Sequence, residues 1–130
     1  MSVSVNALSL VVNQQDSNGV AIVNRLIGPV SYSGVAGEFD TRTLAADTNN
    51  HAFDLPATNI LNFYFKNTHA TAVITLIGTV QGGASQTMAK VQPGGVFAHW
   101  AASTSATAGY TALSYTSDTA SATAEVYLGG

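Results

Sequence analysis

The three histidines of this chain are the first candidates for chemistry, because histidine both binds metals and transfers protons near neutral pH. They are His51, His69 and His99. Histidine ligands of zinc usually come in pairs about 3–5 residues apart, often together with cysteines. These three histidines lie far apart along the chain, and cysteine is absent. We therefore predict no metal site and interpret them as surface or packing residues.

A second candidate for ion binding is the segment "DTNNHAFD", residues 47–54, whose Asp and Asn oxygens could bind calcium. The segment does not match the calcium loop that alternates Asp residues before a glycine and a distal Glu. Asp and Asn also favour turns, because their side chains bond to the nearby backbone. We interpret the segment as a turn, with calcium binding as the alternative.

Paired carboxylates can act as general acid and base, and Glu38 and Asp40 are two positions apart. That spacing puts them on one face of a strand, and Arg42 continues the same face as an ion-pair partner. The chain has no nucleophile elbow, no phosphate-binding loop and no dinucleotide fingerprint. We therefore interpret both carboxylates as solvated, and we predict that the protein is not an enzyme and uses no cofactor.

Aromatic side chains are the remaining candidates, since exposed rings can stack on sugars as they do in lectins. Rings are also enriched in cores and at subunit contacts, so Trp100 fits a core or an interface equally well. Our candidate interface residues are Tyr64, Trp100 and Tyr127. The other tyrosines considered are Tyr32 and Tyr110.

The composition indicates what kind of surface carries these residues. Charged residues make up 8% of the 130-residue chain, against about 25% in an ordinary soluble domain. The net charge is −3 with only four scattered cations, so we predict no binding to nucleic acid. No apolar run approaches the ~18 residues that cross a bilayer, so we predict no membrane partner. Because interfaces are depleted in Lys, Glu and Asp, we expect a homo-oligomer or a subunit of a larger assembly.

The pattern of the chain predicts strands throughout. Short runs of β-branched and aromatic residues recur, separated by Gly, Pro, Asn and Asp, and no window has a sustained helical period. We predict one all-β domain over residues 1–130, an antiparallel two-sheet sandwich of jelly-roll type with about 8–10 strands. The absence of cysteine fits assembly in a reducing cytoplasm. The N-terminus is interpreted as a strand rather than a signal peptide.

Several local features are specific enough to test. Asn18-Gly19 predicts a hairpin turn, and Gly28-Pro29 is expected to end the second strand. The stretch "ILNFYFKNTHATAVITLIG", residues 60–78, predicts a hairpin in the middle of a sheet. Its second arm, residues 73–80, is apolar at nearly every position and is expected to be a central strand covered on both faces. Pro93-Gly94 suits the middle of a type II turn.

Four segments in this order give the chain a resemblance: "FDTRTLAADTNNHAFDLP", "NILNFYFKNTHATAVITLIG", "VQPGGVFAHW" and "ATAEVYLGG". They resemble small β-sandwich structural proteins of tailed-phage virions, in which a strand near a Lys-Asn pair precedes a Pro-Gly-Gly turn and an aliphatic last strand. Here these features are Lys66-Asn67, residues 93–95 and the closing strand. The resemblance covers roughly residues 39–130.

The resemblance implies a capsid decoration, or cement, protein on the outer surface of the phage head, assembled in the cytoplasm of the bacterial host. Such proteins commonly form trimers at threefold positions and bridge neighbouring major capsid protein subunits. No catalytic residue carries over. Residues 1–38 match no motif and are expected to form either an arm for assembly contacts or the first strands of the sandwich.

Two other functions stay open. One is a structural β-sandwich of the phage tail, neck or fibre, which a low copy number per virion would indicate. The other is a carbohydrate-binding module or adhesin, which would use the exposed tyrosines and Trp100.

Overall fold

Ten β-strands form the regular structure in the computed structural model, which describes residues 4–34, 37–44, 50–100 and 109–130, with side chains for 13–21, 44, 50–100 and 109–130. Within these residues there is no helix that could cross a membrane. The strands are β1 (Ser4–Gln15), β2 (Ala21–Gly34), β3 (Gly37–Thr43), β4 (His51–Ala52), β5 (Asn62–Asn67), β6 (Ile74–Val80), β7 (Gln86–Val91), β8 (Val96–Trp100), β9 (Tyr110–Ser117) and β10 (Thr123–Gly129).

Strands β3 to β10 form two four-stranded antiparallel sheets. The first sheet has the order β3-β10-β5-β8, and the second has the order β4-β9-β6-β7. Every connection between consecutive strands from β3 to β10 passes from one sheet to the other, except the one between β6 and β7. This is the strand order of a jelly roll. The predicted all-β, two-sheet antiparallel sandwich is therefore confirmed.

The core lies between the two sheets, because alternate side chains of each strand point inward. The most buried side chains, each at most 7% exposed, include Phe63, Phe65, Val126 and Leu128 from the first sheet and Ile74, Leu76, Leu113 and Tyr115 from the second. Phe53 joins them, with its ring centroid 5.0 Å from that of Tyr115 and 5.8 Å from that of Phe63.

The prediction that residues 60–78 form a hairpin is wrong. Strand β5 lies in the first sheet between β10 and β8, whereas β6 lies in the second sheet between β9 and β7. The turn between them therefore carries the chain from one sheet to the other. The alternation within each arm is the same in both arrangements, so it could not distinguish a hairpin from a connection between sheets.

Strand β6 is central in its sheet, as expected, but it is not covered on both faces. Ile74, Leu76 and Gly78 are buried in the core, whereas Thr75 and Ile77 on the opposite face are only half-buried. Both faces of a strand disappear from solvent when layers cover both sides of its sheet. Of the two faces of β6, only the inner one is fully buried in the described part of the chain.

Strands β1 and β2 form a separate two-stranded antiparallel sheet. The turn that joins them is the predicted one at Asn18-Gly19, and it is closed by the Asp16 carboxylate. Its Oδ1 atom accepts hydrogen bonds from the backbone N–H groups of Asn18 and Val20, each at 2.9 Å. All residues from 13 to 21 are exposed. This end of the hairpin therefore extends into solvent.

Gly28-Pro29 was expected to end a strand, and this is wrong because β2 continues through it. The register passes from Leu8 paired with Val30 to Leu10 paired with Ile27, so β2 has one extra residue there. Proline has no N–H to donate, and within sheets it is found at bulges and on edge strands. Pro29 lies at a bulge, and β2 is an edge strand because its sheet has only two strands, so both conditions are met.

The turn between β7 and β8 has the predicted type II features. The N–H of Gly95 donates to the carbonyl of Gln92 at 2.8 Å. Gly94, the third residue of the turn, has a φ of 74°. A positive φ at that position defines a type II turn and favours glycine.

Candidate functional site

The outer face of the first sheet, which points away from the second sheet, carries a group of aromatic side chains. Phe63 and Phe65 point into the core, so Tyr64 between them points outward, as does Tyr127 between Val126 and Leu128. Tyr127 and Tyr64 are directly opposite each other in the ladder between β10 and β5. Residues opposite each other share a face of the sheet.

Trp100 completes this group from the neighbouring strand β8. Its ring stacks on the ring of Tyr127, with centroids 5.4 Å apart and planes 20° apart. Aromatic pairs favour offset stacking at about 4.5–7 Å between centroids. All three rings are half-buried. The three predicted interface residues, Tyr64, Trp100 and Tyr127, therefore lie on one face, and Trp100 lies outside the core.

Gly129 allows the tyrosine ring to lie close to the sheet. A Cβ atom at this position would be 2.7 Å from the Tyr127 hydroxyl oxygen and 3.0 Å from its Cε1 atom. The Tyr127 ring therefore lies over the Gly129 backbone. In the ladder Gly129 pairs with Asn62, and Asn62 pairs with Trp100. In the sheet, Asn62 therefore lies between Gly129, which the Tyr127 ring covers, and Trp100.

Asn62 is a buried polar residue, and its side chain has no hydrogen-bond partner among the residues that the structure describes. It is 0% exposed, and this absence holds for both its amide nitrogen and its amide oxygen. Within the same described residues, the indole N–H of Trp100, opposite Asn62, is likewise buried and without a partner. Each buried polar group without a partner costs about 1–3 kcal/mol. We call Asn62, Tyr64, Trp100 and Tyr127 the aromatic site.

A carboxylate adjoins the aromatic site on the same face. The Tyr64 hydroxyl donates a hydrogen bond to Glu125, which lies two positions before Tyr127 along β10. Burial, followed by the negative charge and hydrogen bond of Glu125, raises the pKa of Tyr64 above its usual value. Lys66 is opposite Glu125 in the ladder. The two charges are of opposite sign, so this edge of the site carries no net charge.

The histidines do not form a cluster. Among the described residues, no group of three potential metal ligands exists. His69 lies in the turn between β5 and β6, where its Nδ1 atom accepts the backbone N–H of Ala72 at 3.0 Å. His99 packs edge-on against Tyr110, with centroids 5.1 Å apart. Burial lowers the pKa of His99 below its usual value.

The candidate carboxylates are only partly within the described residues. Register places Glu38, Asp40 and Arg42 of β3 opposite Leu128, Val126 and Ala124, so the three share one face, as predicted. Their side chains lie outside the described part, and so do the first residues of the 47–54 segment. The prediction that the carboxylates are solvated and the alternative of calcium binding therefore stay untested.

A cavity lies at the open edge of the sandwich between β7 and β8. It has a volume of about 330 Å³, and Met88, Phe97, Tyr110 and Val80 contribute to its lining. Specific small-molecule sites combine apolar walls with a few convergent polar groups. This cavity has no charged residue in its lining, and we assign no binding role to it.

Sequence patterns missed the most unusual member of the aromatic site. Alternation places Asn62 on the polar side of its strand, where an asparagine is ordinarily solvated. Its partners in the ladder, Trp100 and Gly129, come from two other strands. No local signal in the sequence records that combination.

Comparison of the chain with models of protein families, with curated protein sequences and with solved structures finds no match in any of the three.

Proposed function

We propose that this protein is a structural component of a tailed-phage virion, a capsid decoration protein that binds as a trimer and bridges major capsid protein subunits on the outer surface of the head. It works through contact surfaces rather than chemistry. The observation that carries the proposal is the separate hairpin formed by β1 and β2.

The hairpin has the properties of an arm for assembly. Its strands contain 12 and 14 residues, more than any strand of the sandwich, so it is about 40 Å long. In the described ranges of the chain, neither strand pairs with a strand of the two larger sheets. An isolated two-stranded hairpin is at best marginally stable in water. A partner that packs on such a hairpin would stabilise it.

The sequence of the hairpin supports the same role. The sequence of β1 is rich in apolar residues, among them Leu8, Leu10 and Val11. A segment of this composition gains about 25 cal/mol for each Å² of apolar surface that a partner covers, before the cost of association is subtracted. The same small contribution, repeated over every site of a shell, would hold the shell closed.

The fold and the composition are compatible with this proposal. Double-sheet jelly rolls occur in viral capsid proteins and also in lectins, so the fold alone does not decide between such functions. Charged residues make up only 8% of the chain. A surface with so few charges is suited to being covered by other subunits.

The direct test is to mix the purified protein with undecorated phage heads and to measure cosedimentation, together with light scattering of the protein alone. We expect a trimer that binds the heads to saturation. The absence of this chain from purified virions by mass spectrometry would overturn the proposal.

Two charge substitutions separate the arm from the sandwich. Leu10→Lys introduces a cation into the apolar sequence of β1, and we expect it to abolish retention on the heads. Val80→Lys is the matched control, because Val80 is 46% exposed at the end of β6. We expect this control to bind as the unmodified protein does. Equal binding by both variants would contradict a role for the arm.

Copy number distinguishes the head from other parts of the virion. A protein that covers the shell is present in hundreds of copies, whereas a tail, neck or fibre protein is present in about a dozen or fewer. Quantitative mass spectrometry of virions measures this ratio. A low ratio would move the proposal from the head to the tail or neck.

A further inference from the structure

We propose that the aromatic site binds the ring face of an uncharged saccharide, with the Asn62 amide and the Trp100 indole N–H as its hydrogen-bonding groups. This activity is separate from the proposed role in assembly, because the aromatic site is built from β5, β8 and β10, whereas the arm consists of β1 and β2.

The rings supply the first part of the argument. Trp100 and Tyr127 are stacked within 20° of parallel, and Tyr64 is next to Tyr127 in the ladder. All three are half-buried on a sheet face. Aromatic rings of Trp and Tyr combine a large apolar surface with a polar group, so they suit ligands that are apolar on one side and wet on the other. A pyranose ring has this character, with C–H groups on its faces and hydroxyls at its edge.

The unpaired polar groups supply the second part. Asn62 is 0% exposed, and its amide has an unused donor and an unused acceptor. The Trp100 indole adds another unused donor. A buried polar group without a partner calls for an explanation, such as a ligand that pairs with it. A hydroxyl group both donates and accepts, so a sugar can pair with an amide and an indole together.

The charges next to the aromatic site limit which class of ligand it favours. Glu125 and Lys66 are opposite each other at the border of the site, so neither sign prevails. Nucleic acids also stack on aromatic rings, but they need cationic groups along the backbone path. The whole chain has four cations. An uncharged saccharide is the hydroxyl-bearing ligand that this balance favours.

Access to Asn62 requires a movement of the tryptophan ring. Asn62 lies in the ladder between Gly129, which the Tyr127 ring covers, and Trp100. No described residue accepts a hydrogen bond from the Trp100 indole N–H. Rotation of this side chain would uncover the amide while Tyr64 and Tyr127 stay on the face. Binding therefore changes the environment of Trp100.

The chain has a single tryptophan, so fluorescence titration reports on the site directly. The probes are cellohexaose, maltohexaose, xylohexaose and chitohexaose, each up to about 10 mM so that millimolar affinities are detected. Sorbitol, which has hydroxyls but no ring, is the control ligand. We expect saturable shifts with at least one oligosaccharide and none with sorbitol. No shift with any of the four, or an equal shift with sorbitol, would overturn the proposal.

Variants identify the groups involved, with affinity measured by calorimetry for the best probe. Asn62→Leu removes the unpaired amide, and we expect at least about a tenfold loss of affinity with an unfolding midpoint that is unchanged or higher. Trp100→Ala removes the ring at a half-exposed position and should cost at least as much, so it tests the site even if Asn62→Leu does not fold. Tyr110→Phe, at the cavity between β7 and β8, is the matched control and should bind normally. Unchanged affinity in both site variants refutes the proposal.

The other possible occupant is a second copy of the chain. If light scattering shows that Trp100→Ala converts an oligomer to a monomer while no saccharide binds, the face is a protein interface and the saccharide proposal is wrong. The Leu10→Lys variant keeps the two proposals apart. It should lose binding to phage heads and keep binding to the saccharide.

Discussion

Asn67 shows how one buried polar side chain holds a connection between the two sheets. It is 0% exposed. Its amide nitrogen donates to the carbonyls of Ala72 at 2.7 Å and Val91 at 3.1 Å, and its oxygen accepts the N–H of His69 at 3.1 Å. Unlike the Asn62 amide, the buried Asn67 amide therefore has hydrogen-bond partners for both its nitrogen and its oxygen. It ties the end of β5 to the start of the connection and to the end of β7.

We predict that Asn67→Ala lowers the free energy of unfolding by about 3 kcal/mol, because three backbone groups lose their partner and part of this loss occurs in a buried setting. Urea unfolding with an unchanged m value measures the effect. Thr68→Ala is the control, since Thr68 is exposed and bonds through its hydroxyl to Thr123, and it should change stability by less than about 0.5 kcal/mol. Similar values for the two variants would show that the Asn67 bonds are not important.

Two titratable residues, His99 and Asp118, should each produce a separate step in the dependence of the free energy of unfolding on pH. Burial lowers the pKa of His99 below 6.5, so the folded state takes up this proton less readily than the unfolded state. Stability is then constant above about pH 6.5 and falls as the pH drops below that value. For Asp118, hydrogen bonds from the N–H of Val73 and then from the Thr119 hydroxyl lower the pKa below 3.8. Its contribution is present above the unfolded-state pKa and is lost as the pH falls through the lower, folded-state value.

Each step has its own variant, measured by urea unfolding across the pH range. His99→Phe should remove the decrease below about pH 6.5 and keep the acidic step. Asp118→Asn should do the reverse. If both variants retain both steps, other groups dominate the pH dependence.

Among the structural elements, the turn between β7 and β8 depends on one glycine. Gly94 has a φ of +74°, and a Cβ atom there would have no other atom within 4 Å. A substitution therefore changes backbone strain without changing packing. We predict that Gly94→Ala destabilises the fold by about 1 kcal/mol, and that Gly94→Asn costs less because Asn tolerates a positive φ. Chemical unfolding of both variants tests this, and equal stabilities of Ala, Asn and Gly would contradict it.

At the scale of the whole molecule, the hairpin and the jelly roll are predicted to be independent in stability. They share no strand pairing in the part of the chain that the structure describes. We predict that deletion of residues 1–34 leaves cooperative thermal unfolding, with a midpoint within about 4 °C of that of the full chain. Circular dichroism and calorimetry provide the measurement.

Deletion of the chain from residue 122 onward is the matched comparison for that experiment. It removes β10, which lies between β3 and β5 in the first sheet, and it should abolish folding. If the N-terminal deletion also abolishes cooperative unfolding, the hairpin is part of the sandwich rather than an arm.

Much of the fold was predictable from local patterns. Alternation in the last strand placed Ala124, Val126 and Leu128 on one face and Tyr127 on the other, and the structure buries the first three. Turn chemistry at Asn18-Gly19 and Pro93-Gly94 located two reversals of the chain. Gly28-Pro29 misled because proline also occurs at bulges, and only the pairing partner shows whether the strand continues.

The sequence by itself determined that this protein is all-β, and it determined which residues of the best-patterned strands face inward, because both depend on a period of two and on turn residues a few positions apart. Only the tertiary structure decided that β5 and β6 belong to different sheets, since strand pairing is non-local and alternation is the same for any partner. It likewise decided that Tyr64, Trp100 and Tyr127 share one face above a buried Asn62. That site exists because three strands that are distant in the chain are neighbours in one sheet.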